Sequence, residues 1–170
     1  MTLTRIQCGI GILTFTAAHA GVEALHLGCA YQLRSGQSSV VQPFGGATVA
    51  PPRSARPLII GRPGPTETLT LDLVQSRSIE RLAIYAFSGQ PVQPNGSATL
   101  VATTFAGTRV ELPLDRPPSQ HVTVLMSLYN LAGEFVLRAE LDVIPGTVRD
   151  ACAAYGFDRI TWLDAHTPLV

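Results

Sequence analysis

The chain has 170 residues, which suits one domain of ordinary size. Twelve acidic side chains balance twelve basic ones, and every basic one is an arginine. With 14% charged against 46% hydrophobic residues, general disorder is excluded, and a neutral balance argues against a nucleic-acid-binding domain, which needs a clustered basic surface.

The first twenty residues support two readings. Arg5, an apolar stretch from Gly9 to Thr16 and the small-x-small triplet Ala18-His19-Ala20 outline a cleavable export signal. The same stretch alternates, with Ile10, Ile12 and Thr14 set against Leu13 and Phe15, as a first strand does. His19, Glu23 and His26 interrupt the apolar run well short of the roughly 18 residues of a spanning helix. No membrane span is expected.

Short strand patterns follow. Leu25 to Leu33 reads as a strand closed by Arg34-Ser35-Gly36, with Ser38 to Gln42 as its return. Pro43 to Pro65 is dense in proline and glycine and reads as a long surface loop in which only Leu58-Ile59-Ile60 pairs briefly. Glu67 to Leu73 alternates cleanly, while Arg81 to Phe87 is nearly all apolar, as in a strand covered on both faces. Ser88 to Gly96 ends in the reversal signal Asn95-Gly96. Ala98 to Thr104 and Arg109 to Leu112 form a hairpin across Ala106-Gly107, and Val122 to Leu128 follows Pro117-Pro118.

After a turn around Asn130 to Gly133, Phe135, Leu137, Ala139, Leu141 and Val143 alternate with Glu134, Val136, Arg138, Glu140 and Asp142, which predicts one buried face and one wet one. Thr147 can cap a helix with Asp150 as its capping-box partner, Val148, Ala151, Cys152 and Tyr155 share a face, and Gly156 supplies the left-handed exit. A last strand is expected from Arg159 to Leu163, carrying Trp162. About nine strands and one short C-terminal helix predict an all-β fold, an antiparallel β-sandwich forming a single domain over residues 1–170.

The usual catalytic signatures are missing, among them a nucleophile elbow, a phosphate-cradling loop and a zinc-protease helix. Cys8, Cys29 and Cys152 are too widely spaced for a disulfide framework or a zinc site and read as small buried residues in a reducing compartment. His19, His26, His121 and His166 are scattered. His26 and Cys29, three apart on a strand, point to opposite faces. Asp115 and Arg116 read as a solvated turn, and nothing in the sequence converges on Asp158, Asp164 and His166. No catalytic, cofactor-binding or metal-ligating residue is assigned, and the chain is expected not to be an enzyme.

Leu27-Gly28-Cys29, Tyr31, Leu33, Gly36 and Val40-Val41-Gln42 resemble a characteristic stretch of the bacterial tellurium-resistance stress proteins (TerD type), nearest to the TerA-like branch. Leu69 to Leu73, Ile79 to Phe87, Asn130 to Val136 and Ala154-Tyr155-Gly156-Phe157 with Thr161-Trp162 fit later motifs in the same order, so the likeness spans about residues 20–163. The resemblance implies a cytoplasmic β-sandwich, protein partners in a stress-response system, and calcium sites built from an Asp-Leu-Asp motif and an acidic loop. Those positions here read Ala24-Leu25-His26 and Gly61 to Glu67. Calcium takes six to eight oxygen ligands, and Glu67 with Asp72 would make a weak site at best. The expectation is a divergent member with lost calcium sites and a binding or scaffold role. An exported β-sandwich with residues 1–20 as signal peptide is the alternative.

Overall fold

The computed structural model describes residues 2–3, 11–20, 25–64, 66–88, 97–104, 107–114 and 121–169. Within them the chain folds into two six-stranded sheets whose neighbouring strands all pair antiparallel. In chain order the strands are β1 (Thr2–Leu3), β2 (Ile12–Ala20), β3 (Leu25–Leu33), β4 (Ser38–Val41), β5 (Val49–Ala50) and β6 (Ile59–Arg62). They continue with β7 (Thr68–Asp72), β8 (Ile79–Ser88), β9 (Ser97–Thr104), β10 (Arg109–Leu114), β11 (His121–Leu131) and β12 (Glu134–Pro145). The first sheet runs β1-β12-β11-β8-β3-β4 and the second β10-β9-β2-β7-β6-β5. One helix, α1 (Val148–Ala154), follows β12. The all-β sandwich with a short C-terminal helix is therefore the fold of this chain.

The alternation of the strands builds the core. Leu13, Phe15 and Ala17 of β2, Leu69 and Leu71 of β7 and Leu100 of β9 face Leu27, Tyr31, Leu82, Ile84 and Leu128 of the first sheet. Each of these is 2% exposed or less. Burying one leucine or phenylalanine side chain in this way contributes about 1.5–3 kcal/mol. Residues 12–20 of the stretch that imitates a signal peptide therefore lie inside the second sheet, paired with β7 on one side and β9 on the other.

The first sheet is covered on its other face too. Ala30, Val40, Ala83, Tyr85, Phe87, Val122 and Val124 pack against Val148, Ala151 and Cys152 of α1 and against Phe157 and Ile160 beyond it. This second layer explains why β8 is nearly all apolar. Helix α1 begins in the expected capping box, with Thr147 Oγ1 accepting from Asp150 N and Thr147 N donating to Asp150 Oδ2. It ends through Gly156 at φ 74°. Arg81 of β8 holds that end to the sheet, donating to the carbonyls of Tyr155 and Gly156 and to Gln32 Oε1, with its guanidinium 4.6 Å over the Phe157 ring. A cation at the last carbonyls of a helix also opposes their partial negative charge.

Three expectations need correction, and one element has no counterpart among them. The stretch from Pro43 to Pro65 is not simply a loop: it carries β5 and β6, which form the edge of the second sheet. Leu73–Ser78 is a 3-10 helix, capped by Asp72 Oδ1 accepting from Val74 N. Arg159 to Leu163 is not a strand. Only Trp162 forms a single bridge, to Pro168, because the chain folds straight back through Leu163 N to Thr167 O and Leu169 N to Thr161 O.

The last correction concerns β12. Phe135 and Leu137 are buried, but Ala139, Leu141 and Val143 are exposed. The pairing register shifts between Val124 and Met126 of β11, and Leu141 takes φ 56°. This bulge turns the side chains of β11 over, while Ala139 and Val143 of β12 stay opposite Met126 and Thr123 on a part of the face that is left exposed. Val122 and Val124 thus face the helix layer, whereas Leu125, Met126 and Leu128 face the inter-sheet core. The turn after β11 is a two-residue loop, Ala132-Gly133, with positive φ at both positions, the geometry whose twist matches a hairpin. The reversal expected at Asn95-Gly96 lies outside the described residues.

Candidate functional site

The two positions that would supply calcium ligands in the TerD-type pattern, His26 and Glu67, meet in space. They are 41 residues apart in sequence, yet His26 Nδ1 lies 3.1 Å from Glu67 Oε1. Strand β4 pairs only with residues 29–32 of β3, so the N–H of Leu27 finds no strand partner on that side. Glu67, which directly precedes β7, fills the gap: its Oε2 accepts from Leu27 N at 2.7 Å. Its own carbonyl accepts from Ala17 N of β2. The carboxylate is 9% exposed and both of its oxygens are taken by protein groups, which is what a buried charge requires.

The rest of the presumed cage is elsewhere or of the wrong chemistry. Arg62, Pro63 and Gly64 are exposed and offer no carboxylate, and Ala24 and Pro65 lie outside the described residues. Asp72 sits at the far end of β7, where Oδ1 caps the 3-10 helix and Oδ2 accepts from Gln75 Nε2 at 2.8 Å. It lies five positions along the chain from Glu67, about 16 Å at the usual strand rise. Among the described residues no three His, Cys, Asp or Glu side chains gather as a metal site would need. This donor set does not fit a calcium ion.

His26 joins an aromatic cluster instead. Its ring centroid lies 4.3 Å from that of Phe44 and 5.3 Å from that of Phe87, and His166 stacks on Phe87 at 5.8 Å. Two of the four scattered histidines thus come together on the outer side of the first sheet. Beneath them, Tyr85 donates its hydroxyl hydrogen to Gln42 Oε1 at 2.8 Å, and Gln42 Nε2 donates to the carbonyl of His166 at 2.7 Å. Gln42 is fully buried, so this chain of bonds fixes the C-terminal segment to the residue that follows β4. Gly28 makes room for it, since a Cβ there would fall within the Tyr85 ring. Phe44 is 42% exposed and opens the cluster to solvent.

The other candidate groups are spread over the molecule. Cys29 lies in the inter-sheet core, on the face of β3 opposite His26, and burial pushes its thiol far above the usual range. Burial likewise pushes Cys152 up to about 12 in the helix layer. Both are protonated and shielded at neutral pH. Asp164 serves a turn, with Oδ1 accepting from His166 N and Thr167 N, bonds that hold its carboxyl below the ordinary carboxylate range. Asp158 is exposed, His19 is on β2, and Asp115, Arg116 and Cys8 lie outside the described residues. One polar group read in the sequence only as part of a turn has a structural role: buried Asn130 donates to the carbonyls of Ser76 and Ile79 and accepts from Gly133 N, tying the β11–β12 turn to the 3-10 helix.

No family model and no curated protein matches the chain. No helix among the described residues is long and apolar enough to cross a membrane.

Proposed function

We propose that this chain is a non-enzymatic binding or scaffold protein of the TerD type, acting in a cytoplasmic stress-response system without calcium. The motif order along residues 20–163 supports the family, and the antiparallel sandwich is the fold that family implies. The observation that carries the calcium-free reading is the pairing of His26 with Glu67, whose carboxylate is consumed by Leu27 N–H and the imidazole. The non-enzymatic reading draws on the same pair. Its carboxylate oxygens are taken by Leu27 N–H and the imidazole, and among the described residues no hydroxyl or thiol is hydrogen-bonded to the pair.

Calorimetric titration with calcium tests this directly. We expect no binding heat and no change in melting temperature at millimolar calcium; a micromolar site overturns the reading. The scaffold role requires that affinity purification from the native host return a reproducible protein partner, and repeated recovery of none would sink it. The position of β2 inside the second sheet favours retention of the first twenty residues. Mass spectrometry of the native protein should find Met1 or Thr2 at its N-terminus, whereas Gly21 would establish the exported alternative.

A further inference from the structure

At the end of the sandwich away from the His26–Glu67 pair, three chain segments meet around a cleft of about 530 Å³. Each brings one arginine: Arg34 from the β3–β4 turn, Arg56 from the segment between β5 and β6, and Arg77 from the 3-10 helix. Two hydrogen bonds join the segments. Arg34 N donates to the carbonyl of Ser78 at 2.9 Å, and Gln75 Nε2 donates to the carbonyl of Arg56 at 3.4 Å. The floor is apolar, made by Leu33 and Leu58, which are 5% and 4% exposed.

The charge balance around this cleft is unusual for a neutral chain. No aspartate or glutamate is among its lining residues. The three ion pairs of the described residues involve His26, Arg109 and Arg138, so none of the three cleft arginines is neutralised by a carboxylate. Of the acids flanking the cleft in sequence, Asp72 lies behind Gln75 and caps the helix, and Glu80, two residues past Ser78, accepts from Gln32 Nε2 at 2.8 Å. Uncompensated guanidinium groups around one concave site focus a positive potential there. Their planar donor forks match the oxygens of phosphate, and serine hydroxyls at Ser35, Ser54 and Ser78 add neutral donors along the wall.

We infer that this cleft binds a phosphate-type polyanion: a diphosphate, a polyphosphate or the phosphorylated end of a small metabolite. The volume fits a small ligand rather than a macromolecular surface. No aromatic side chain lines it, so there is no platform for a nucleobase, and the phosphate chain supplies the binding. The site is independent of the TerD-type reading and of the His26–Glu67 pair.

Isothermal titration of the full chain with inorganic pyrophosphate and with tripolyphosphate tests the inference. We expect saturable binding in the micromolar range at low salt, weakening steeply as salt is raised. Arg34→Gln, Arg56→Gln and Arg77→Gln should each weaken it about tenfold, the loss of one charge-assisted contact, and the triple variant should abolish it. Arg138→Gln, which does not line the cleft, should leave it unchanged. Circular dichroism and the melting temperature of each variant establish that it is folded. No binding at millimolar pyrophosphate, or binding retained by a folded triple variant, overturns the site. Adenosine triphosphate binding tenfold or more tightly than tripolyphosphate would overturn the ligand class, because it would require recognition of the base.

Discussion

Replacing Gly28 with alanine should be among the most damaging small changes in this protein. The backbone at Gly28 is ordinary strand, so alanine is not penalised by its φ. The cost is steric: the added methyl would occupy the space of the Tyr85 ring, and Tyr85 is 1% exposed with no room to retreat. Overpacking of a tight core costs about 1–3 kcal/mol. Displacing the ring also breaks its hydrogen bond to buried Gln42, and an unsatisfied buried amide adds about 1–3 kcal/mol. The expected loss is therefore about 2–6 kcal/mol, read as a shift in the urea midpoint at unchanged slope. A double-mutant cycle isolates the cause. In a Tyr85→Leu background the ring is gone, and Gly28→Ala should cost little or even stabilise by a few tenths of a kcal/mol through lower unfolded-state entropy. If alanine costs as much in that background as in the wild type, or is harmless in the wild type, the packing explanation of Gly28 is wrong.

Three further outcomes follow from the same structure. Glu67→Ala should destabilise by about 3 kcal/mol because it orphans Leu27 N–H and the His26 contact, whereas Glu67→Gln, which can still accept from Leu27, should cost about 1 kcal/mol; equal losses would refute the pairing. Cys29 and Cys152 should resist iodoacetamide at neutral pH in the folded protein and react on denaturation, as peptide mass mapping would record; fast native labelling of either thiol would contradict its burial. The Asp150 carboxyl is held below its ordinary range, first by Thr147 N–H and then by the Thr147 hydroxyl. Its folded pKa is lowered, so its contribution is complete above the unfolded value near about 4 and is lost as pH falls through the folded value. The stability gap between wild type and Asp150→Asn should thus be widest near neutrality and close in acid, and a gap independent of pH in urea titrations would refute the cap.

The strands that were legible in the sequence are those whose side chains alternate without interruption. Leu25 to Leu33 is a strand over those same residues, and the capping box of α1 depends only on Thr147, Asp150 and Gly156, which are close in sequence. The bulge was not legible, because Val122, Val124, Met126 and Leu128 keep one alternation of letters while the backbone places the first two in the helix layer and the last two in the inter-sheet core. Strands β5 and β6 were hidden by proline and glycine, which weaken any local strand signal although pairing with β7 organises the segment. The candidate sites were the least visible. His26 and Glu67 are joined by the way Glu67 completes the ladder of β3, and the arginine cleft assembles from residues 34, 56 and 77. Neither leaves a spacing that a motif could record, and the one local sign is Glu67, an acid at the head of an alternating strand.

The pairing of β2 and β1 also sets a timetable for folding. Strand β2 joins the second sheet through residues 68–72 on one edge and 97–104 on the other, and β1 pairs with residues 135 and 136 at the edge of the first. During synthesis the early strand must therefore wait until roughly the first hundred residues have emerged before both of its edges are covered. A topology of such distant pairings closes in milliseconds to seconds rather than microseconds. For that interval Leu13 and Phe15 stand beside an open strand edge, so the growing chain is at its most prone to association before its middle strands arrive.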